Sequence, residues 1–184
     1  MRIISGNLKA KKLYSAEGRV IRPTSDRLRE SIFDILSFHV KDTVVLDIFA
    51  GTGAMGIEAL SRGAESALFI DIHNKALSVI ERNIKACGLE NKTKIIKWDI
   101  IKNLNCIKSD RPAFNLVFID PPYNKGFLRP TLHNLIKAVS VKKGAYLIIE
   151  HSLLEPIPLD FPEYELHDQR KYGKSLVSFL TYIV

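Results

Sequence analysis

Four consecutive residues, Asp120-Pro121-Pro122-Tyr123, close a very apolar run at 114–119. Two prolines in succession fix two φ angles and donate no backbone N–H, so the loop is stiff and presents carbonyl acceptors. Asp120 adds a carboxylate acceptor and Tyr123 adds an aromatic face. An exocyclic amine has two N–H donors and a lone pair partly delocalised into its ring. Acceptors at Asp120 and at the Pro121 carbonyl suit those two hydrogens and draw electron density onto the nitrogen. The rate gain would come from positioning and preorganised electrostatics, with Tyr123 stacking on a base removed from its own stack. Cytosine-C5 chemistry would need a thiol nucleophile. Neither Cys87 nor Cys106 is near this loop, and neither has a metal-ligand or paired spacing, so no metal and no disulfide framework is expected.

A second cluster supplies the other reactant. Asp47-Ile48-Phe49-Ala50-Gly51-Thr52-Gly53-Ala54-Met55-Gly56 follows a short apolar run, with Asp71 twenty residues beyond Gly51. The literal G-x-G-x-x-G fits a dinucleotide fingerprint, and so a nicotinamide-dependent oxidoreductase. Asp47 argues against that fit, because a carboxylate at the mouth of the loop would repel a pyrophosphate. It suits a ligand with an ammonium and a sulfonium, which describes S-adenosylmethionine. Asp71 is placed to accept from ribose hydroxyls. Asp99, after Trp98, is equally suited to reading an adenine amino group and to capping the next turn.

The elements that position these residues alternate. A hairpin of 2–4 with 11–14 around Gly6-Asn7 comes first. A helix capped by Thr24 or Ser25 runs to 38, with Leu28, Ile32, Ile35 and Leu36 as its apolar stripe. Strands are predicted at 43–48, 66–70, 93–97, 114–119 and 145–149, and helices at 53–62, 74–87 and 129–139. The pattern describes an α/β, Rossmann-like, mostly parallel sheet covered on both faces. Runs 164–169 and 176–183 have no helix between them and turn at Tyr172-Gly173-Lys174, an antiparallel hairpin at one sheet edge that completes seven strands. The 184 residues are expected to form one domain, with 1–40 a basic extension and 41–184 the catalytic core.

The net charge is +7, and residues 1–30 carry eight basic and three acidic side chains, five of the seven excess charges. Arg2, Lys9, Lys11, Lys12, Arg22, Thr24, Arg27 and Arg29 are candidates for a polyanion contact, with nucleic acid the expected partner. No apolar run approaches the roughly 20 residues of a membrane helix. Charges interrupt the opening stretch, so no secretory signal is expected. A cytoplasmic, monomeric protein is the expectation.

The glycine loop resembles motif I of class I methyltransferases, and Asp120-Pro121-Pro122-Tyr123 resembles motif IV of amino-directed methyltransferases. Met1 to Gly6, the 22–33 block Arg-Pro-Thr-Ser-Asp-Arg-Leu-Arg-Glu-Ser-Ile-Phe, Leu46 to Gly53 and the tetrapeptide together resemble the RsmD-type 16S rRNA guanine-N2 methyltransferases. The resemblance runs nearly end to end. It implies S-adenosylmethionine as cofactor, S-adenosylhomocysteine as product, and 16S rRNA or a small-subunit assembly intermediate as substrate. By position it implies that Asp47, Phe49, Ala50, Gly51 and Gly53 hold the methionine part of the cofactor. Asp71 would hold the ribose, Asp99 the adenine and residues 120–123 the guanine, with Ile72 and Ile100 also among the cofactor-binding residues. One departure is Asp71-Ile72-His73, where the family often has Glu-x-Asp. Amine chemistry alone leaves adenine N6 and protein glutamine open, and a non-catalytic RNA-binding factor is the third alternative.

Overall fold

The computed structural model describes residues 1–15, 26–109 and 113–184. Seven strands form one sheet in the order β3-β2-β1-β4-β5-β7-β6. They are β1 Val44–Ile48, β2 Ser66–Asp71, β3 Thr93–Lys97, β4 Phe114–Ile119, β5 Val141–Ser152, β6 Tyr164–Tyr172 and β7 Ser175–Tyr182. β1 to β5 are parallel, while β7 runs antiparallel between β5 and β6. Helices α1 Asp26–Ile35, α2 Ala54–Ser61 and α3 Asn74–Cys87 cover one face, and α4 Leu128–Ala138 covers the other. Alternation along the strands explains the two cores. Val45, Phe69 and Phe118 join Phe33, Ile57 and Ile80 under the first three helices. Leu46, Ile48, Val117 and Ile149 join Leu132 and Leu135 of α4.

Predicted elements and observed ones agree in type throughout, and the differences have local causes. α1 ends at Ile35 and the chain tightens into a 3-10 turn, Ser37–His39, where Phe38 is 93% exposed. The helix predicted to run to Phe38 therefore stops three residues short of it. Ile35 is only half-buried, and Phe33 takes the central place instead. β5 starts four residues earlier than expected. Val141 pairs with Phe114, then Lys142, Lys143 and Gly144 bulge outward before Tyr146 pairs with Leu116. That polar bulge hides the first strand residue from any alternation pattern. The caps proposed at Thr24 and Ser25 lie outside the described residues, as do Arg19 and Arg22.

The N-terminal hairpin is real but minimal. Arg2 bridges Lys12, and Ile3 N–H donates to the Lys11 carbonyl at 2.9 Å. What holds it is α2. The buried Glu58 carboxylate accepts Ile4 N–H at 2.8 Å and Ser5 N–H at 3.0 Å, while Ser61 Oγ accepts Leu8 N–H at 3.0 Å. A Cβ on Gly6 would lie 1.8 Å from the Ser61 carbonyl oxygen, so only glycine permits this approach. Asn83 of α3 then accepts Tyr14 N–H at 2.7 Å and donates to the carbonyls of Tyr14 and Thr52.

Candidate active site

Strand register places the chemistry in one row. Ile70 and Ile119 both pair with Ile48, and Ile149 pairs with Ile119. The next residues, Asp71, Phe49, Asp120 and Glu150, therefore stand side by side at the carboxyl ends of β2, β1, β4 and β5. Between β1 and β4 the strand order reverses, which is where open α/β sheets bind ligands. A cleft of about 1240 Å³ opens there. Its walls include the glycine loop (Phe49, Ala50, Gly51, Thr52), Asp47, Asp71, Ile72, Trp98, Asp99, Ile100 and all of residues 120–123. The two predicted clusters, seventy residues apart in the chain, thus share one space.

The glycine loop is built by left-handed backbone at Phe49 (φ 58°), Gly51 (φ 57°) and Gly53 (φ 74°). Phe49 is the costly member, since a side chain there is disfavoured; its ring stacks on Phe127 at 6.2 Å. Gly56 lets α2 approach the sheet, because a Cβ would fall 2.5 Å from Phe69 Cε1. Gly56 N–H donates to Asp47 Oδ2 at 3.0 Å. Burial pushes the Asp47 carboxyl up to about 8; the Gly56 N–H partly opposes this, and nearby Asp71 adds a smaller push. The sequence suggested a standing negative charge, whereas the enclosed carboxyl holds its proton at neutral pH.

Asp71 is more than a ribose candidate. Its Oδ2 accepts Gly51 N–H at 3.0 Å and its Oδ1 accepts His73 N–H at 2.9 Å, so it pins the glycine loop to the end of β2. Asp99 caps the next turn, accepting Ile101 N–H at 3.2 Å, and also lines the cleft; both suggested roles fit its position. Ile72 is 44% exposed and Ile100 buried, two apolar surfaces near Asp99 at the end of the cleft away from β5.

The acceptor loop is held from β5. The Tyr123 hydroxyl donates to Glu150 Oε1, which also accepts the Ser175 hydroxyl at 3.3 Å. Burial pushes the phenol well above its usual range; the bond to Glu150 and the charges of Glu150 and Asp120 add to the rise, and the Ser175 bond slightly opposes it. Tyr123 is therefore a neutral donor, not a base. Asn124, at φ 57°, donates its N–H to Glu155 Oε2 at 2.7 Å. Buried His151 supports this corner. Its Nε2 meets Ser178 Oγ at 2.8 Å and its Nδ1 meets the Glu155 carbonyl at 2.8 Å. Burial lowers its pKa against the pull of those carbonyls, so it is a neutral strut.

The basic candidates divide. Arg2, Lys9, Lys11 and Lys12 are exposed on the hairpin, and exposed Arg27 lines the cleft. Arg22 and Thr24 lie outside the described residues. Arg29 is a correction. It is fully buried, 3.0 Å from Asp26 and 3.6 Å from Glu58, and it donates to the Arg2 carbonyl. Its charge is spent on holding hairpin and helices together, so it offers nothing to a polyanion. Among the described residues, Glu150, Ser175 and Lys171 line the cleft without having been anticipated. Glu150 left a signal, because Leu147-Ile148-Ile149-Glu150 repeats the apolar-run-then-acid pattern of Val117-Phe118-Ile119-Asp120. Lys171 and Ser175 left none, since a hairpin turn folding back over a neighbouring strand end has no local pattern.

The strand order, the glycine loop at its switch point and the adjoining tetrapeptide define the Rossmann-like fold of class I methyltransferases. Residues 1–181 match the family described as conserved hypothetical protein 95. Ribosomal RNA small subunit methyltransferase D of Buchnera aphidicola subsp. Acyrthosiphon pisum is 35% identical over 84% of this chain and 80% of its own. The protein of the same name from Escherichia coli K12 is 29% identical over 95% of this chain and 86% of its own. The solved structure of yhhF from Escherichia coli superposes with a TM-score of 0.87, 27% identical and covering 100% of this chain and 98% of that one. The chain belongs to this RsmD-type family. No helix among the described residues is long and apolar enough to cross a membrane.

Proposed function

We propose that this chain is a cytoplasmic enzyme that methylates the exocyclic N2 amine of a guanine in small-subunit (16S) ribosomal RNA, using S-adenosylmethionine and releasing S-adenosylhomocysteine. The observation that carries the proposal is the juxtaposition of the glycine loop and residues 120–123 at adjacent strand ends in one cleft. The residues fit the cofactor on their own chemistry. The enclosed Asp47 carboxyl, raised by burial, is relieved by an ammonium partner. Asp71 and Asp99 offer acceptors farther along the cleft, and Ile72 and Ile100 offer apolar faces to a ring.

When bound, S-adenosylmethionine supplies an electrophilic sulfonium methyl. Asp120 and the Pro121 carbonyl accept the two amine hydrogens and orient the nitrogen lone pair toward the β1 side of the cleft. Methyl transfer to that nitrogen would leave it with one surplus proton, which the Asp120 carboxylate or water would accept. Tyr123, neutral and fixed by Glu150, presents its ring edge or face to the base without competing for the proton. The stiff prolines keep the acceptors preorganised, which is where most of the rate gain resides. The RNA reading is supported by the relatives' names and by exposed Lys9, Lys11, Lys12 and Arg2, with Arg27 and Lys171 on the walls of the cleft.

Mass mapping of rRNA from a strain lacking this chain, followed by in vitro restoration with labelled cofactor, tests the proposal. A single missing N2-methylguanine in 16S rRNA, restored by the wild-type protein, is expected. Asp120→Ala should bind S-adenosylhomocysteine normally and transfer no methyl. Near-normal turnover of that variant refutes the mechanism.

A further inference from the structure

We propose that Glu150 reads the identity of the target base, its carboxylate accepting the ring N1–H of guanine while Asp120 holds the neighbouring N2 amine. The inference rests on the amine-directed reading above and adds a residue that distinguishes guanine from adenine. Ile119 and Ile149 are register partners, so Asp120 and Glu150 occupy equivalent positions on adjacent parallel strands. Their backbones are about 4.8 Å apart by strand spacing. Both side chains line the same cleft, together with Tyr123. Two acceptors on neighbouring strands thus face the place where a base edge must lie if its amine is at Asp120.

The base edge discriminates. Guanine presents N1–H and N2–H₂ as adjacent donors. Adenine, with its N6 amine at Asp120, presents an unprotonated N1, a second acceptor facing a carboxylate. The mismatch leaves two buried acceptors opposed without a proton between them, a costly arrangement. Glu150 is held for this task. Its Oε1 accepts the Tyr123 hydroxyl and the Ser175 hydroxyl, which fix the carboxylate from two sides. The hydrogen bond from the Tyr123 hydroxyl to Glu150 ties base stacking to base reading.

A purely structural role for Glu150, as a buttress for Tyr123, predicts something different, and 2-aminopurine separates the two. This base keeps the 2-amine but has an unprotonated N1. Small-subunit rRNA would be joined by ligation so that the methylated position carries guanine or 2-aminopurine, and kcat/KM measured for each. The wild-type protein should prefer guanine by about 100-fold, the upper range for one well-made polar base contact. Glu150→Gln keeps an acceptor for Tyr123 but turns an N–H toward the base. It should lower kcat/KM for guanine and bring the preference to within about fivefold, or invert it. Tyr123→Phe should slow both substrates and weaken the preference without abolishing it, because Ser175 still holds Glu150. A wild-type protein that uses both bases equally overturns the inference without any variant. So does a Glu150→Gln protein that retains the preference. A methyl group mapped to adenine N6 would instead refute the guanine reading itself, and the mapping step detects that before any ratio is taken.

Discussion

Replacing Asp47 with Asn should change the pH dependence of stability in a way that reports directly on this buried carboxyl. Burial raises this group from 3.8 to about 8. Between those values the folded protein binds a proton that the unfolded chain does not. Stability therefore falls as pH rises through this window and levels off above 8, the reverse of an ion-paired aspartate. The slope is about 1.4 kcal/mol per pH unit well below 8 and flattens near it. From pH 6 to pH 8 the wild type should lose about 2 kcal/mol through this group alone. At a urea slope of about 2 kcal/mol/M, the midpoint moves by about 1 M. Asn has no proton to lose and its carbonyl can still accept Gly56 N–H, so its curve should lack this component. Subtracting the two urea midpoint profiles across pH 5 to 9 cancels the histidines common to both. The same group should release most of one proton when S-adenosylhomocysteine binds at pH 7, read from calorimetry in buffers of different ionisation heat, and the Asn variant should release none. Parallel stability profiles for the two proteins would refute the reasoning.

Gly56→Ala should cost about 1–3 kcal/mol in urea unfolding, because its Cβ would sit 2.5 Å from Phe69 Cε1 inside the core. Arg29→Ala should destabilise by about 3 kcal/mol in urea unfolding, leaving buried Glu58 with one fewer cation. Lys11→Ala combined with Arg27→Ala should weaken rRNA binding and reduce the log–log salt slope by about 2; an unchanged slope removes the hairpin from the interface.

Much of this was legible in the chain itself. The central parallel strands announced themselves as short apolar runs because burial on both faces leaves few polar positions in them. The cleft was legible because its two halves are contiguous motifs, each at a strand end. What escaped was set by partners distant in sequence. Arg29 has the local look of a surface base in a basic segment, and only Glu58, twenty-nine residues on, reveals it as a buried strut. Asp47 was legible as a carboxyl beside the glycine loop, but its protonation depends on how tightly α2 closes over it, which Gly56 and Phe69 decide. Glu150 faces the site only because β5 lies next to β4, a neighbour relation that spacing along the chain does not carry.

The attachment of the N-terminal hairpin has a consequence for the order in which the protein is made. Its anchors, Glu58, Ser61 and Asn83, lie 53 to 69 positions downstream of the residues they hold. At about 5–20 residues per second of synthesis, the hairpin waits roughly 3 to 14 s for its seat. Until then Arg2, Lys9, Lys11 and Lys12 belong to a cationic segment without these anchors. Folding must therefore begin elsewhere, in the β1-α2-β2-α3 unit whose contacts are nearer in the chain, with the first fifteen residues docking onto a surface already formed. Weakening an anchor should show as faster undocking of that end, with little effect on how quickly the sheet assembles.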